Sequence, residues 1–185
     1  MTNLFKNIPV GDNPPKQINV VIDIPKGSCN KYEYNEKEGY FQLDRTLYSP
    51  LFYPFEYGFI PQTESEDGDS LDVILLSSFP TFPGCVIKAR PIGVLLMEDE
   101  NGIDNKIIAV PNEKVDPRFK EVKEIKNIPN HVREEIALFM ADYKKLEKEK
   151  YKFVKVKGYK NKKWAHNIIQ KAMKRYKSNK SQKAN

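Results

Sequence analysis

Apolar and polar positions follow two rhythms along this chain: short β-like runs to about residue 110 and helical stripes beyond residue 129. Residues 17–24 (QINVVIDI) are β-branched, short and closed by Pro25 and Gly27, which predicts a buried strand. Residues 31–34 and 40–44, separated by Gly39, predict a hairpin. Residues 57–60 and 71–76 predict two further strands flanking an acidic loop. The long apolar run 84–97 carries Pro91 and Gly93, a signal for a bend or bulge. Residues 106–110 pair naturally with it through Asn101-Gly102, a two-residue turn signal. A late alternating strand is predicted over 151–157.

Two helices follow from apolar stripes at helical spacing. Between Pro129 and Lys150 the stripe is Val132, Ile136, Phe139, Met140, Tyr143 and Leu146. Between Asn161 and Tyr176 it is Trp164, Ala165, Ile168, Ile169, Ala172 and Tyr176. Strands followed by helices, without βαβ alternation, predict an α+β domain. Closing about five short strands into an antiparallel barrel removes exposed edges, so a barrel flanked by the two helices is expected. Residues 1–176 form the single domain, and the Lys/Ser/Asn-rich 177–185 segment is read as a frayed basic tail.

Composition agrees with one folded domain. In 185 residues, 39% are hydrophobic and 11% aromatic, enough for a core and too much for a disordered chain. The longest apolar runs fall far short of the roughly 20 residues that span a bilayer. Residues 1–9 lack a basic segment followed by an apolar one, so a cytoplasmic protein is expected. Cys29 and Cys85 stand alone, outside any CxxC or zinc spacing, and are expected to be reduced. The net charge of +6 is unevenly spread. From Lys144 onward 16 Lys and Arg face only Glu147 and Glu149, while residues 1–143 hold 15 basic and 23 acidic residues.

The acidic body carries the chemistry. Asp67-Gly68-Asp69-Ser70-Leu71-Asp72 places three carboxylates in six residues between two strands. Such density is unfavourable unless solvent or a cation offsets it, and hard oxygen donors suit Mg²⁺, Mn²⁺ or Ca²⁺. An EF-hand is excluded, because counting from Asp67 puts Leu71 and Ser78 at the fifth and twelfth positions. A second cluster, Glu98-Asp99-Glu100-Asn101-Gly102-Ile103-Asp104, precedes Lys106. Read alone, each cluster is a solvated turn; converging at one barrel mouth, they would hold several cations.

Lys31 and Glu33 project from one strand face, and Arg45 ends the next strand. Residues 52–59 (FYPFEYGF) supply the phenols of Tyr53 and Tyr57, and Tyr143-Lys144 lies at the edge of a helical stripe. Cations and phenols beside a carboxylate cluster suit a phosphate ester or anhydride. Other catalytic kits lack support. There is no GxxxxGK[ST], GxGxxG or HExxH, and His131 and His166 fall in helices without a nucleophile partner.

Seven motifs in one order then carry a resemblance. IDIP at 22–25, KYE at 31–33, DR at 44–45, FYPFEYGFIPQT at 52–63, DGDSLD at 67–72, RPIGVLLMEDENGIDNK at 90–106 and DYKKLEK at 142–148 are similar to the soluble family I inorganic pyrophosphatases of the short bacterial type. The resemblance implies an OB-like five-stranded barrel and Mg²⁺-dependent hydrolysis of pyrophosphate by a metal-bridging water. It implies metal ligands at Asp67, Asp72, Asp99 and Asp104, assisted by Glu33 and Glu100. It further implies Asp69 as general base and Lys31, Arg45, Tyr57, Lys106, Tyr143 and Lys144 as phosphate-binding groups. A homohexamer is the family expectation. Asp23 stands where the family usually has Glu, and Ser70 where Pro is common. Two other readings remain: a nucleic-acid-binding OB module using the basic C-terminal region, and a non-catalytic metal-binding protein.

Overall fold

A computed structural model describes residues 3–182 of the chain. After a single helical turn, α1 (Leu4–Asn7), the first apolar run forms β1 (Ile18–Ile24), buried at every residue. Cover on both faces explains why this run reads as continuous rather than alternating. The predicted hairpin becomes β2 (Asn30–Asn35) and β3 (Tyr40–Thr46). β4 (Glu56–Ile60) and β5 (Leu71–Leu75) flank the acidic loop. Then come β6 (Val86–Asp99), the two-residue β7 (Gly102–Ile103) and β8 (Lys106–Pro111).

Five strands pair in the order β1-β4-β5-β8-β6, and β6 pairs back onto β1, which closes the ring. Four seams are antiparallel, but β5 and β8 run parallel, which corrects the expectation of an antiparallel barrel. The reason is arithmetical. An odd ring cannot reverse direction at every seam, so one parallel pair is obligatory. The register of β6 on β8 slips between Pro91 and Gly93, the bulge those residues predict.

The acidic turn sits one residue earlier than predicted. Asp99 pairs with Gly102, so Glu100 and Asn101 form the corner rather than Asn101-Gly102. Asp99 accepts the Asn101 N–H at 2.9 Å, a local alternative that starts the turn at the aspartate. Gly102 follows with φ 111°, a conformation that disfavours any Cβ.

The first apolar stripe forms α2 (Asn130–Asp142), shorter than its pattern implied. Beyond Asp142 the chain turns through Lys145 N–H to Asp142 O and Glu147 N–H to Lys144 O, which leaves Leu146 exposed. A short α3 (Lys148–Tyr151) takes the start of the predicted late strand, so β9 (Lys155–Asn161) begins four residues on and pairs with β6. α4 (Lys162–Gln182) continues through Lys177, so the segment read as a frayed tail is helical as far as Gln182. Residues 183–185 lie outside the described residues.

Alternate strand residues join different cores. Val73, Leu75, Ile107 and Ala109 pack with Ala165, Ile169 and Ala172 of α4. Ile74, Ile108 and Val110 pack with Ile136, Phe139 and Met140 of α2. The β2–β3 hairpin is a separate sheet, seated by Tyr34 and Phe41 against Phe5 and Phe59. Both cysteines are free thiols, as expected.

Gly58 marks the tightest strand approach. A Cβ built there would lie 2.0 Å from Val21 O and 2.9 Å from Ile22 Cα, both backbone atoms. Gly58→Ala is therefore expected to lower stability by about 3 kcal/mol, because strand backbone cannot rotate aside. Urea denaturation of the two proteins measures it; an unchanged midpoint would refute the close approach.

Candidate active site

One end of the ring gathers the functional motifs around a cavity of about 480 Å³. The hairpin contributes Lys31, Glu33 and Arg45, and β4 contributes Tyr57. The β4–β5 loop and the start of β5 contribute Asp67, Asp69 and Asp72. The β6–β8 turn region brings Asp99, Glu100, Asp104 and Lys106, and the chain after α2 brings Tyr143 and Lys144. All thirteen residues singled out from sequence thus line one space.

Local bonds shape the acidic loops. Asp67 Oδ1 accepts the Asp69 N–H at 3.1 Å, Ser65 N–H donates to Asp69 O, and buried Thr63 accepts the Leu71 N–H. Asp104 N–H donates to Met97 O at 3.0 Å. These bonds turn both aspartate clusters toward the same side of the ring.

Ten carboxylates line the cavity: Asp23, Glu33, Glu36, Asp44, Asp67, Asp69, Asp72, Asp99, Glu100 and Asp104. Five cations face them: Lys31, Arg45, Lys106, Lys144 and Lys150. Lys106, 3% exposed, bridges Asp72 and Asp104. Lys144, 6% exposed, bridges Asp99 at 3.1 Å and Glu100 at 2.9 Å. Lys31 pairs with Glu33 and Asp44, and Arg45 with Asp44 and Glu147. Tyr57 donates its hydroxyl to Asp72 at 2.8 Å.

Burial and neighbouring charge displace the titrations, opposing one another at Lys106 and Asp99 and acting together at Asp69 and Asp23. Burial works to push the Lys106 ammonium down, but Asp72 and Asp104 outweigh it and raise it. Burial raises the Asp69 carboxyl, and Asp67 and Asp72 add to the effect. Burial also raises Asp104. Burial works against Asp99 as well, yet the Asn101 N–H and Lys144 hold its carboxyl below the usual range. Burial raises the Asp23 carboxyl well above its ordinary range, with Asp72 reinforcing it, and its buried Oδ1 has no hydrogen-bond partner.

That orphaned oxygen, and a donor set made wholly of hard carboxylate oxygens, fit divalent cations of the Mg²⁺ type. Among the described residues no three Asp, Glu, His or Cys side chains converge closely enough to hold an ion as they stand. Lys106 and Lys144 lie between the carboxylate pairs instead. His131 and His166 lie on α2 and α4, outside the cavity lining. Tyr53 lies behind the lining, 2% exposed, with its ring centroid 4.7 Å from that of Phe139.

Four relevant residues escaped the sequence reading of the site: Glu36, Asp44, Lys150 and Glu147. Asp44 precedes Arg45 and its signal was available as a carboxylate beside a candidate phosphate ligand. Glu36, Lys150 and Glu147 sit in charged stretches that look like ordinary solvated surface. The basic residues of α4 do not line the cavity, which is unfavourable to a nucleic-acid site there.

A family profile for inorganic pyrophosphatase matches residues 20–177, almost the whole ring and both long helices. The chain belongs to the inorganic pyrophosphatase family. It is 48% identical to the inorganic pyrophosphatase of Sulfolobus acidocaldarius over 165 residues, covering 89% of this chain and 94% of that protein. The Thermus thermophilus inorganic pyrophosphatase is 46% identical over 177 residues, 96% of this chain and 99% of that one. A crystal structure of inorganic pyrophosphatase from T. thermophilus superposes with a TM-score of 0.90 at 44% identity, covering 95% and 99%. As an inorganic pyrophosphatase the chain is a hydrolase of a phosphoric anhydride. No helix among the described residues is long and apolar enough to cross a membrane.

Glu36 supplies a test of this pyrophosphatase cavity's electrostatics. Burial raises its carboxyl from 4.5 to about 7, with Asp69 and Glu64 adding and Ser70 opposing. The folded carboxyl binds its proton more tightly than the unfolded one, so this group's contribution to stability is present below pH 4.5 and is lost as pH rises through about 7. Glu36→Gln, in EDTA, is expected to gain about 1–2 kcal/mol over the parent at pH 8 and nothing at pH 4, allowing for partial screening. Denaturation at both pH values measures it; an equal gain at each would refute the burial effect.

Proposed function

We propose that the chain splits pyrophosphate into two phosphates in this cavity, with Mg²⁺ as its metal, Asp69 as general base and the cavity's cations as phosphate ligands. The observation that carries the reading is the meeting of thirteen residues from separated motifs on one wall, both signs of charge included. Asp67, Asp72, Asp99 and Asp104, with Glu33 and Glu100, would hold the ions. When bound, the divalent ions supply positive charge that neutralises phosphate oxygens and acidifies the attacking water.

Asp69 is suited to take the proton from that water. Burial has already raised its affinity for a proton, and the loop bonds hold it beside Asp67. Water attacks one phosphorus, the bridging P–O bond breaks, and the departing phosphate carries the bond's electrons. Lys31, Arg45, Lys106 and Lys144 take up that negative charge, with Tyr57 and Tyr143 as hydroxyl donors. Lys106 and Lys144 exchange carboxylates for phosphate oxygens as substrate arrives, so neither ammonium is ever buried unpaired. The enzyme is expected to be cytoplasmic and to assemble as a homohexamer; exposed Phe79, Phe82 and Leu138 are apolar surface available for subunit contacts.

Purified protein is expected to release phosphate from pyrophosphate rapidly with Mg²⁺, negligibly with EDTA, and little from ATP. Folded protein that releases none would overturn the reading. Asp69→Asn is expected to lower kcat by about 10²–10⁴ with the circular dichroism spectrum unchanged. Near-full turnover in that variant would remove Asp69 from the role of base.

A further inference from the structure

We propose that Glu147 is a positioning residue for Arg45, holding one edge of the guanidinium so that its remaining corner is presented to phosphate. The inference rests on the reading that pyrophosphate binds in the cavity Arg45 lines. Arg45 Nε and Nη2 both donate to Glu147 Oε1, at 3.1 and 2.8 Å, across 102 residues of sequence. The two side chains are 14% and 7% exposed, so the pair is shielded from the solvent that weakens surface ion pairs. The third nitrogen, Nη1, donates to Asp44, which is 30% exposed at the cavity wall.

The two carboxylates therefore differ in how easily they yield. Asp44 is more exposed than Glu147, adjacent in sequence and shared with Lys31, so a phosphate oxygen can take its place on Nη1. Glu147 is enclosed and its backbone is fixed on both sides. Its N–H donates to Lys144 O at 2.7 Å, and its carbonyl accepts from Lys150 and Tyr151 N–H at 2.9 Å each. This short segment also carries Tyr143 and Lys144, so Glu147 ties the arginine of the hairpin to the lysine of the helix side.

The need for such a tie follows from the fold. The β2–β3 sheet shares no ladder bonds with the ring, and its aromatic seat is at Tyr34 and Phe41, three residues from Lys31 on one strand and four from Arg45 on the other. Leu47 anchors the backbone just past Arg45. It does not direct the guanidinium, which swings on a long flexible stem unless a partner holds it. Freezing such a side chain at the moment of binding would cost about tenfold in affinity, and Glu147 removes that loss beforehand.

The experiment compares the parent, Glu147→Gln, Glu147→Ala, Arg45→Ala and the Arg45→Ala/Glu147→Ala double variant. Each is assayed for pyrophosphate hydrolysis with Mg²⁺ and for binding of methylenediphosphonate, whose P–C–P bridge resists hydrolysis. Glu147→Ala is expected to raise both KM and the analogue Kd about tenfold while kcat stays within about threefold. Glu147→Gln, which keeps an acceptor oxygen, is expected to fall between it and the parent. In the Arg45→Ala background, removing Glu147 is expected to change neither constant further. Equal losses in both backgrounds, an unchanged KM, or a fall confined to kcat would each overturn the positioning role. If Glu147→Ala does not fold, Glu147→Gln decides the matter by the same KM and Kd readings. A parent without activity, or an Arg45→Ala variant with unaltered KM and Kd, would instead sink the substrate role of Arg45 on which the proposal stands.

Discussion

Mutual repulsion among ten carboxylates on one partly buried wall is the constraint around which this end of the molecule is arranged. Five cations on the same wall leave a formal excess of negative charge. Lys106 and Lys144 meet it by each spanning two carboxylates, and such ammonium groups tolerate burial only because both sides are satisfied. In the proposed reaction a divalent cation would compete with these lysines for the same oxygens. Burial raises Asp69 and Asp104, while at Asp99 a backbone N–H and Lys144 overcome burial and hold the carboxyl low.

The ring makes this crowding possible. Strands whose two faces are both covered hold their ends rigidly, so loops at one end can carry charges that a flexible loop would spread into solvent. β6 is the common partner: its 14 residues pair with β1, β8 and β9 and end in the Asp99 turn. The hairpin stands outside that frame and meets it through aromatic stacking at one end and an arginine–glutamate pair at the other.

Much of this was legible in the residues. The β-branched runs, the Pro91–Gly93 slip and the seven motifs place the ring strands and all thirteen cavity residues. The parallel seam was not legible from pattern, because periodicity reports which face is buried and not strand direction. The corner at Glu100-Asn101 was misplaced by one residue because Asn-Gly is a strong local signal, yet the Asp99 carboxylate accepts the Asn101 N–H and starts the turn earlier. The stripe through Leu146 promised helix where α2 had ended, because the backbone there closes tighter turns, Lys145 N–H to Asp142 O and Glu147 N–H to Lys144 O, instead of continuing the helical ladder. Glu36 and Glu147 were invisible because a charged residue in a charged stretch looks the same whether it faces water or a buried partner.

The parallel seam has a consequence for how the chain assembles as it is synthesised. β5 cannot find its second neighbour until β8 has emerged, and β6 pairs with both β1, long since made, and β8, still to come. Ring closure therefore joins segments remote in sequence and comes late. The Asp67–Asp72 loop leaves the ribosome before Lys106, and both acidic clusters leave it before Lys144. For that interval the growing chain carries its carboxylates without the lysines that offset them, and only the completed ring brings the two signs of charge together.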